Sequence, residues 1–348
     1  MLWAMVGLAS SGKSTLFKLM TNKGSSGKSG KGLDIAVAHV PDPRVSVLVD
    51  IFDPKKISPA EIEFADTLGA VGSGGAVFSE LQSAGAMIYC LRAFDSVFGD
   101  PTPIKDFRDL MGELVLFDLN ILEHKMESIE KSLRTAKPEV KIRIENEMKI
   151  IEVLRAHLES GGLIRDLELD PIRAEIVSNF GLLTAKPAVA VFTCGEDYYC
   201  NRDRLINELD SAFSGLPSLA IMTLTELELN ELDHESAEIF REEYNLTEPV
   251  IDRFIMKAYD AAGIITFFTC GEKEVHAWPI RKGSNALEAA GKIHTDLAKG
   301  FIRAEVVSYE DILKYHGWAQ ARNAGHLRVE GKEYIVEDGD TIVIKFAL

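Results

Sequence analysis

A stretch near the start of the chain has the residue types that bind phosphate. Residues 7–14 read GLASSGKS and fit the pattern GxxxxGK[ST]. In such a loop, small residues let successive backbone N–H groups surround an anion, and the following helix points its positive end at the same charge. The residues that we predict to bind the phosphates of a nucleotide are Gly7, Ser10, Ser11, Gly12, Lys13, Ser14 and Thr15.

Two side chains of this loop have defined roles in nucleotide chemistry. Lys13 is expected to reach the β- and γ-phosphates, and the Ser14 hydroxyl is expected to coordinate Mg²⁺. Residues 66–69 read DTLG, the DxxG arrangement found at the end of a strand in nucleotide-hydrolysing switches. There Asp66 would hold Mg²⁺ through a water molecule, and the N–H of Gly69 would meet the γ-phosphate. Lys13 and Gly69 are therefore the candidate catalytic groups.

The sequence SSGKS occurs a second time, at residues 25–29. This copy has Asn22 where the pattern requires a glycine, and the glycines within and after it leave the backbone too free to continue as a helix. We therefore expect a loop. The surrounding segment 23–32 contains only Gly, Ser and Lys, and it lies where nucleotide switches place a loop that closes over the γ-phosphate. A plain surface loop is the alternative interpretation.

Another loop follows the buried strand that we expect at residues 188–192. It reads Thr193-Cys194-Gly195-Glu196, and in an open α/β sheet ligands bind at the carboxyl ends of the strands. Thr193 and Glu196 are the candidates for contact with a nucleotide base, with Glu196 as a hydrogen-bond acceptor. Cys194 is interpreted either as a redox-sensitive thiol or as a merely buried cysteine.

Composition restricts the class of protein. The chain has 348 residues, of which 46% are apolar, so two or three globular domains can each bury a core. It shows no apolar run long enough to span a membrane and no signal peptide, which predicts a cytoplasmic protein without membrane contact. The cysteines form no CxxC pair, and the histidines of the C-terminal part match no metal motif.

The charge of the chain is unevenly distributed. A formal net charge of −16 argues against indiscriminate attraction to nucleic acid. The segment from Glu272 onward is nearly neutral, so this segment or a local patch is the better candidate for contact with RNA.

Strand and helix patterns indicate the domain organisation. Apolar runs predict buried strands of a parallel, doubly wound α/β sheet. Apolar residues at helical spacing, broken once by a proline, predict a helical hairpin, which could pack only on itself or bind a partner. Three strand patterns and a tight turn near the C-terminus predict a small α+β domain. The predicted limits are 1–105 and 170–263 for the α/β domain with the phosphate-loop motif, 106–169 for the helical hairpin insertion, and 264–348 for the α+β domain.

Together these features resemble the Obg-like ATPases of the YchF family, over nearly the whole chain. The most specific stretches, which look like that family's TGS domain, are TCGEKEVHAW (269–278), IRKG (280–283), AAGKIHTD (289–296), KGFIRAEV (299–306) and LRVEGKEY (327–334). The resemblance implies a P-loop nucleotidase domain, a coiled-coil-like insertion and a ubiquitin-like TGS domain. It also implies binding and hydrolysis of ATP, often also of GTP, with Mg²⁺ and in association with ribosomes.

The chain departs from the family where hydrolysis and base recognition would occur. Family members carry an asparagine in place of Ser10, a switch threonine that would fall within segment 23–32, and an NxxE motif where this chain has Thr193 to Glu196. Ala70 stands where the family has a larger hydrophobic residue. Loss of the amide at Thr193 removes the paired donor and acceptor that discriminate a purine edge. Phosphate binding is expected to survive, whereas base selectivity and fast turnover are at risk.

Three functional hypotheses follow. The first is a slow nucleotide-dependent switch, using ATP or both purine nucleotides, whose TGS-like and helical parts contact the ribosome or another RNA–protein partner. The second is a binding module that keeps the fold but no longer hydrolyses nucleotide. The third, a small-molecule kinase, is disfavoured because the C-terminal part resembles a TGS domain rather than an acceptor site. The sequence does not fix the oligomeric state.

Overall fold

The chain folds into two compact units in the computed structural model. The first unit comprises Met1–Val37 and Glu63–Thr247, and the second comprises Ala38–Ile62 and Glu248–Leu348. Within the described residues, no helix combines the length and apolarity needed to cross a membrane. The structure describes residues 1–21, 28–30, 33–67, 78–79, 81–97, 99–135, 137–213, 215–244, 246 and 250–347.

Helices and strands alternate along the chain. Up to residue 247 they are β1 (Leu2–Val6), α1 (Lys13–Thr21), β2 (Lys28–Gly30), β3 (Leu33–His39), α2 (Pro43–Phe52), β4 (Ile57–Ser58), β5 (Glu61–Thr67), β6 (Ala86–Ala93), α3 (Pro103–Thr135), α4 (Pro138–Glu159), a 3₁₀ turn (Ile164–Asp166), α5 (Pro171–Ser178), β7 (Ala188–Cys194), α6 (Glu196–Tyr199), α7 (Arg202–Ala212), β8 (Ser218–Ile221), α8 (Thr223–Leu229) and α9 (His234–Glu243). They continue as α10 (Val250–Ala261), β9 (Ile264–Cys270), β10 (Val275–Arg281), α11 (Ala286–Ile293), α12 (Thr295–Lys299), β11 (Phe301–Ser308), α13 (Tyr309–Tyr315), α14 (Trp318–Asn323), β12 (Arg328–Glu330) and β13 (Asp340–Phe346).

One sheet organises the first unit. Its strand order among the described residues is β2-β3-β5-β1-β6-β7-β8, and β1 pairs in parallel with both β5 and β6. The pairs β6–β7 and β7–β8 are also parallel. In this register Met5 lies opposite Asp66 on one side and Ile88 on the other. The carboxyl ends of these strands therefore meet at one edge, which is where open parallel sheets bind ligands.

Burial explains why the apolar runs of the sequence form these strands. Every residue of β7 is buried, and β6 is buried except for the partly exposed Arg92. Strands covered on both faces are typical of parallel sheets with helices on either side. Trp3, Phe64 and Phe192 are fully buried in this sheet, and burial of side chains of this size stabilises the fold by roughly 1.5–3 kcal/mol each. The predicted buried strands are thus confirmed.

The predicted helical hairpin is formed by α3 and α4. Leu122 of α3 and Leu154 of α4 belong to a buried cluster that also includes Val177 and Phe180. The hairpin therefore packs on residues that follow it in the chain as well as on itself.

A buried carboxylate anchors α3 to the segment that leads into β7. Asp118 is fully buried, and its carboxylate accepts hydrogen bonds from the N–H groups of Leu183 and Thr184, each at 2.8 Å, and from the Thr184 hydroxyl at 2.6 Å. A buried charge is tolerated when hydrogen bonds replace its hydration, and here three donors do so.

The second unit contains the predicted α+β domain. Among the described residues its sheet has the order β12-β11-β13-β9-β10-β4, with antiparallel pairing of β9 with β10 and of β11 with β13. Phe267, Val306 and Ile342 are fully buried in its core. The tight turn predicted before β13 is present, with Gly339 at φ +89°, a value that glycine adopts without steric cost.

One local prediction is wrong. The second SSGKS was expected to lie in a loop, but Lys28–Gly30 form β2, which pairs antiparallel with β3 so that Ser29 lies opposite Asp34. Backbone hydrogen bonds to a neighbouring strand stabilise even glycine-rich residues in an extended form, and composition alone does not reveal such a neighbour. Residues 22–27 and 31–32, together with Gly69 and Ala70, lie outside the described residues.

The domain limits predicted from the sequence remain a prediction. The compact units group residues 38–62 with the C-terminal part of the chain, a grouping that the predicted limits do not contain.

Replacement of Asp118 tests the anchor of the hairpin. In Asp118→Ala the two buried N–H groups and the Thr184 hydroxyl lose their acceptor, so we expect the free energy of unfolding to fall by about 3 kcal/mol. Thr184→Val removes one of the three donors and should cost about 1 kcal/mol. Urea denaturation followed by far-UV circular dichroism measures both. A loss below about 1 kcal/mol in Asp118→Ala would contradict the assigned role.

Candidate functional site

The phosphate-loop motif lies between β1 and α1, at the edge where the parallel strands end. The loop turns sharply, because Ser10 and Gly12 adopt φ values of +56° and +81°. The Ser11 N–H donates to the Leu8 carbonyl at 3.3 Å, and α1 starts with a bond from the Leu16 N–H to the Gly12 carbonyl at 2.9 Å. The structure thus places the predicted loop residues together at the N-terminus of a helix.

Two glycines are required by close approach to neighbouring strands. A Cβ atom on Gly7 would lie 2.6 Å from the backbone oxygen of Cys90 in β6 and 2.6 Å from the Ser11 Oγ. A Cβ atom on Gly12 would lie 3.1 Å from three side-chain atoms of Thr193 in β7, at a backbone angle that already disfavours side chains. The loop is therefore held against β6 and β7 with no room for larger residues at these positions.

Lys13 is the buried cation of this site. It is only 8% exposed, and its Nζ donates to the carbonyl oxygens of Gly7 at 2.9 Å and Leu8 at 3.0 Å. Burial lowers the pKa of the Lys13 ammonium, and the nearby negative charge of Asp66 only partly offsets this. An anion bound in the loop would favour the charged form of Lys13.

Ser14 and Asp66 come together although 52 positions separate them in the sequence. The Ser14 Oγ donates to Asp66 Oδ2 at 2.7 Å, while the buried Oδ1 has no hydrogen-bond partner among the residues that the structure describes. Burial raises the pKa of the Asp66 carboxyl, opposed by the Ser14 hydrogen bond and by the charge of Lys13. A serine hydroxyl beside an under-satisfied carboxylate fits a hard cation such as Mg²⁺, which prefers oxygen ligands.

Thr193 contacts the phosphate loop. Its side chain is fully buried, and its hydroxyl lies 2.8 Å from the Ser11 carbonyl and 3.1 Å from the Leu91 carbonyl. The hydroxyl therefore braces the loop against β6 and β7. Its predicted contact with a nucleotide base remains a prediction, and the sequence alone did not indicate the bracing role.

Glu196 is exposed at the start of α6, where its Oε1 accepts a hydrogen bond from the Tyr244 hydroxyl at 3.0 Å. On the same short helix, the Tyr198 hydroxyl donates to Asp95 at 2.7 Å. Tyr198, Tyr244 and Asp95 were missed by sequence reasoning, because nothing in their local pattern distinguishes them from ordinary surface residues.

Arg92 was also missed, although its position offered a signal. It directly follows a buried run of β6, so it stands at the ligand-binding edge of the sheet. Its guanidinium donates to the Ser96 hydroxyl at 2.6 Å and to the Gly99 carbonyl at 2.8 Å. These bonds fix the loop that carries Asp95.

Burial makes the two thiols near the site, those of Cys90 and Cys194, unreactive. Burial raises the pKa of both Cys90 and Cys194 to about 12. A thiol with a raised pKa is a poor nucleophile, so the structure favours the buried-cysteine interpretation of Cys194. Within the described part of the chain, no cluster of three or more His, Cys, Asp or Glu side chains could hold a metal ion.

A phosphate-loop motif at the carboxyl edge of a parallel sheet, followed by a helix that begins with Lys13 and Ser14, places the chain in the class of P-loop α/β proteins. A family model named YchF-GTPase_C, described as "Protein of unknown function (DUF933)", matches residues 264–347. The chain is 33% identical to the Ribosome-binding ATPase YchF of Haemophilus influenzae over 98% of both chains. It is 34% identical to the protein of that name from Bacillus subtilis, again over 98% of both chains.

A solved structure shows the same fold. The Schizosaccharomyces pombe YchF GTPase aligns with a TM-score of 0.86 at 30% sequence identity, covering 99% of this chain and 97% of that one. The chain therefore belongs to the YchF family. The predicted α/β fold, with its mostly parallel P-loop sheet, helical hairpin insertion and C-terminal α+β TGS domain, is confirmed.

The brace at Thr193 can be tested in the protein without ligand. Thr193→Val keeps the shape of the side chain but removes the hydroxyl, so the free energy of loop opening should fall by about 1 kcal/mol. The open state of the loop should then be about fivefold more populated. Hydrogen–deuterium exchange of the N–H groups in residues 7–12 measures this change. Thr193→Ser retains the hydroxyl and should exchange as the parent does. Equal acceleration in both variants would assign the effect to lost methyl packing instead.

The strained backbone at Ser10 offers a second test. A serine at φ +56° is disfavoured, whereas asparagine tolerates this left-handed region better. Ser10→Asn should therefore raise the free energy of unfolding by about 0.5 kcal/mol, measured by urea denaturation. Ser10→Ala, which lacks this tolerance, should not raise it. If Ser10→Asn is less stable than the parent, the exposed serine makes a contact that stabilises the loop more than the relief of backbone strain does.

Proposed function

We propose that this protein binds a purine nucleotide with Mg²⁺ at the phosphate loop, hydrolyses it slowly, and acts as a switch on the ribosome or on another RNA–protein partner. The observation that carries the proposal is the convergence of Lys13, Ser14 and Asp66 at the N-terminus of α1. Domain limits at residues 1–105 with 170–263, 106–169 and 264–348 are part of this proposal, as is a cytoplasmic location.

The electrostatics of the site support an anionic ligand. Burial disfavours the charged forms of both Lys13 and Asp66, so neither charge is fully compensated by the protein alone. Nucleotide phosphates would compensate the ammonium, and the backbone N–H groups of Gly12 to Thr15 stand at a helix N-terminus, where anions are favoured. Perturbed titratable groups of opposite sign at a sheet edge are typical of functional sites.

Mg²⁺ fits the residues present. Ser14 would supply a hydroxyl ligand, and Asp66 would hold the ion through water, with Gly69 as a candidate donor to the γ-phosphate. When bound, the ion would neutralise charge on the phosphates. Mg²⁺ is usually held by one or two protein oxygens together with phosphates and waters, so a large acidic cluster is not required.

The names of the relatives support a switch that works on the ribosome. The bacterial relatives are called ribosome-binding ATPases, and the fission yeast relative is called a GTPase. We therefore propose ATP as the ligand, with GTP as an alternative. Exposed Glu196 is proposed as a hydrogen-bond acceptor for the base, with Thr193 beside it.

Two observations favour a second candidate function, a module that binds partners but does not hydrolyse nucleotide. The Thr193 hydroxyl is committed to backbone carbonyls of the loop and of β6, so little remains of the base recognition that the family motif provides. Segment 23–32 also lacks a threonine that could bind the metal. Binding without turnover would distinguish this function from the first.

Lys13→Ala tests the nucleotide site. Loss of the ammonium should weaken binding of Mg·ATP by about 100-fold, because a charge-assisted contact to phosphate is lost. Isothermal titration calorimetry with ATP and GTP measures the affinity, and single-turnover hydrolysis follows with each nucleotide that binds. Lys18→Ala removes an exposed lysine from the same helix and should leave both properties unchanged.

The outcomes separate the two functions. Slow hydrolysis that Lys13→Ala abolishes supports the switch, whereas binding without hydrolysis supports the module. Absence of nucleotide binding by the parent at millimolar concentration would refute both nucleotide roles.

A further inference from the structure

Three cations surround one buried carboxylate in the second unit. Glu305 of β11 has a side chain that is only 7% exposed. Its Oε1 lies 3.2 Å from Nη2 of Arg303, and its Oε2 lies 3.2 Å from Nη2 of Arg322 and 3.4 Å from Nζ of Lys345. We call Arg303, Arg322 and Lys345 the cation cluster. With Glu305 included, this small surface carries a formal charge of +2, in a chain whose total is −16.

The cluster contains more positive charge than the carboxylate needs. One guanidinium can satisfy both oxygens of a carboxylate, yet Glu305 has two guanidinium groups and an ammonium around it. Arg303 and Lys345 are also direct cross-strand partners between β11 and β13. Like charges directly opposite each other destabilise a sheet, and Glu305 compensates only one of the three cations. A second anion on the solvent side would relieve the remaining repulsion.

The cations are accessible to such an anion. Their side chains are 51% exposed at Arg303, 60% at Arg322 and 45% at Lys345. Each therefore keeps N–H donors directed to solvent after its contact with Glu305. Val329, the cross-strand partner of Glu305 on the edge strand β12, is 59% exposed, so the sheet face is open beside the cluster.

We propose that the cation cluster binds the phosphate backbone of single-stranded RNA, with Glu305 as the residue that positions the three cations. This rests on the proposed association with the ribosome, of which it names one contact surface. A chain of charge −16 is repelled by RNA on average, so association requires a local positive surface of this kind. Guanidinium groups pair with phosphate through two parallel hydrogen bonds. Two of the three cations, Arg303 and Arg322, are guanidinium groups.

RNA is favoured over an acidic protein segment by the geometry. The cluster is compact and held by a single central carboxylate, so it matches one or two adjacent phosphates rather than a row of spaced carboxylates. Exposed apolar residues near the cluster are Val329, across the sheet from Glu305, and Ile302 and Phe346, next to Arg303 and Lys345 in the chain. The choice of RNA therefore rests on the compact arrangement of the cations.

The test uses the full-length protein and a fluorescently labelled oligouridylate. The double variant Arg322→Gln with Lys345→Gln leaves Arg303 to pair with Glu305, which keeps the buried carboxylate compensated. We expect about tenfold weaker binding at about 50 mM salt, and a decrease of about 1.4 in the slope of log K against log salt. Fluorescence anisotropy over a salt series measures both quantities.

A matched control removes the same charge elsewhere in the second unit. Lys299→Gln with Lys314→Gln replaces two exposed lysines, so its total charge equals that of the double variant. This control should keep nearly the affinity and slope of the parent. If the double variant does not fold, as judged by thermal denaturation, Arg322→Gln alone should lower the slope by about 0.7.

Three results would overturn the proposal. These are unchanged binding in the double variant, equal losses in the double variant and its control, or displacement of the RNA by polyglutamate as efficiently as by unlabelled RNA. Cosedimentation with ribosomes separates this proposal from the proposed function. The double variant could keep its sedimentation with ribosomes, its nucleotide binding and the RNA affinity of the parent. That result would refute the RNA-binding role of the cation cluster and would leave the proposed function intact.

Discussion

The site depends on one constraint, the close approach of the loop backbone to β6 and β7. Gly7 lies so near the Cys90 carbonyl that a single methyl group would collide with it, and the Thr193 hydroxyl holds the Ser11 carbonyl from the other side. The left-handed angles at Ser10 and Gly12 belong to the same tight turn. Parallel pairing makes this approach possible, because it brings the ends of β1, β5, β6 and β7 to one edge.

Buried charges in the first unit fall into two kinds. Asp118 is surrounded by three hydrogen-bond donors, so its charge serves to hold α3 in place. Burial raises the pKa of both Asp118 and Asp66 and lowers the pKa of Lys13, but Oδ1 of Asp66 has no hydrogen-bond partner among the described residues. A buried charge that lacks part of its hydrogen bonds or ion pairs lowers the stability of the protein. Such charges are typical of sites where a ligand supplies the missing partner. Hydrogen bonding therefore distinguishes Asp118 from Asp66, the carboxylate that we propose to be functional, although both are hidden from solvent.

Local balance of charge explains how an acidic protein can present a surface for RNA. The net charge is spread over the whole chain, whereas the contacts of Arg303, Arg322 and Lys345 gather three cations within reach of one carboxylate. Screening limits the reach of distant charges to about 10 Å at moderate salt, so the nearby cations dominate what a phosphate would experience. Glu305 thus has the role of positioning the cluster, in addition to partly neutralising it.

The sequence by itself determined the phosphate loop, the buried strands, the helical hairpin and the α+β tail, because each has a local signature in spacing or periodicity. Glycines at fixed positions, continuous apolar runs and helical spacing act within about 20 residues. Only the tertiary structure decided that Thr193 braces the loop, that Lys28–Gly30 join the sheet edge, and that Arg322 and Lys345 meet at Glu305. These contacts join positions far apart in the chain, and their geometry follows from strand register and packing, which no local pattern encodes.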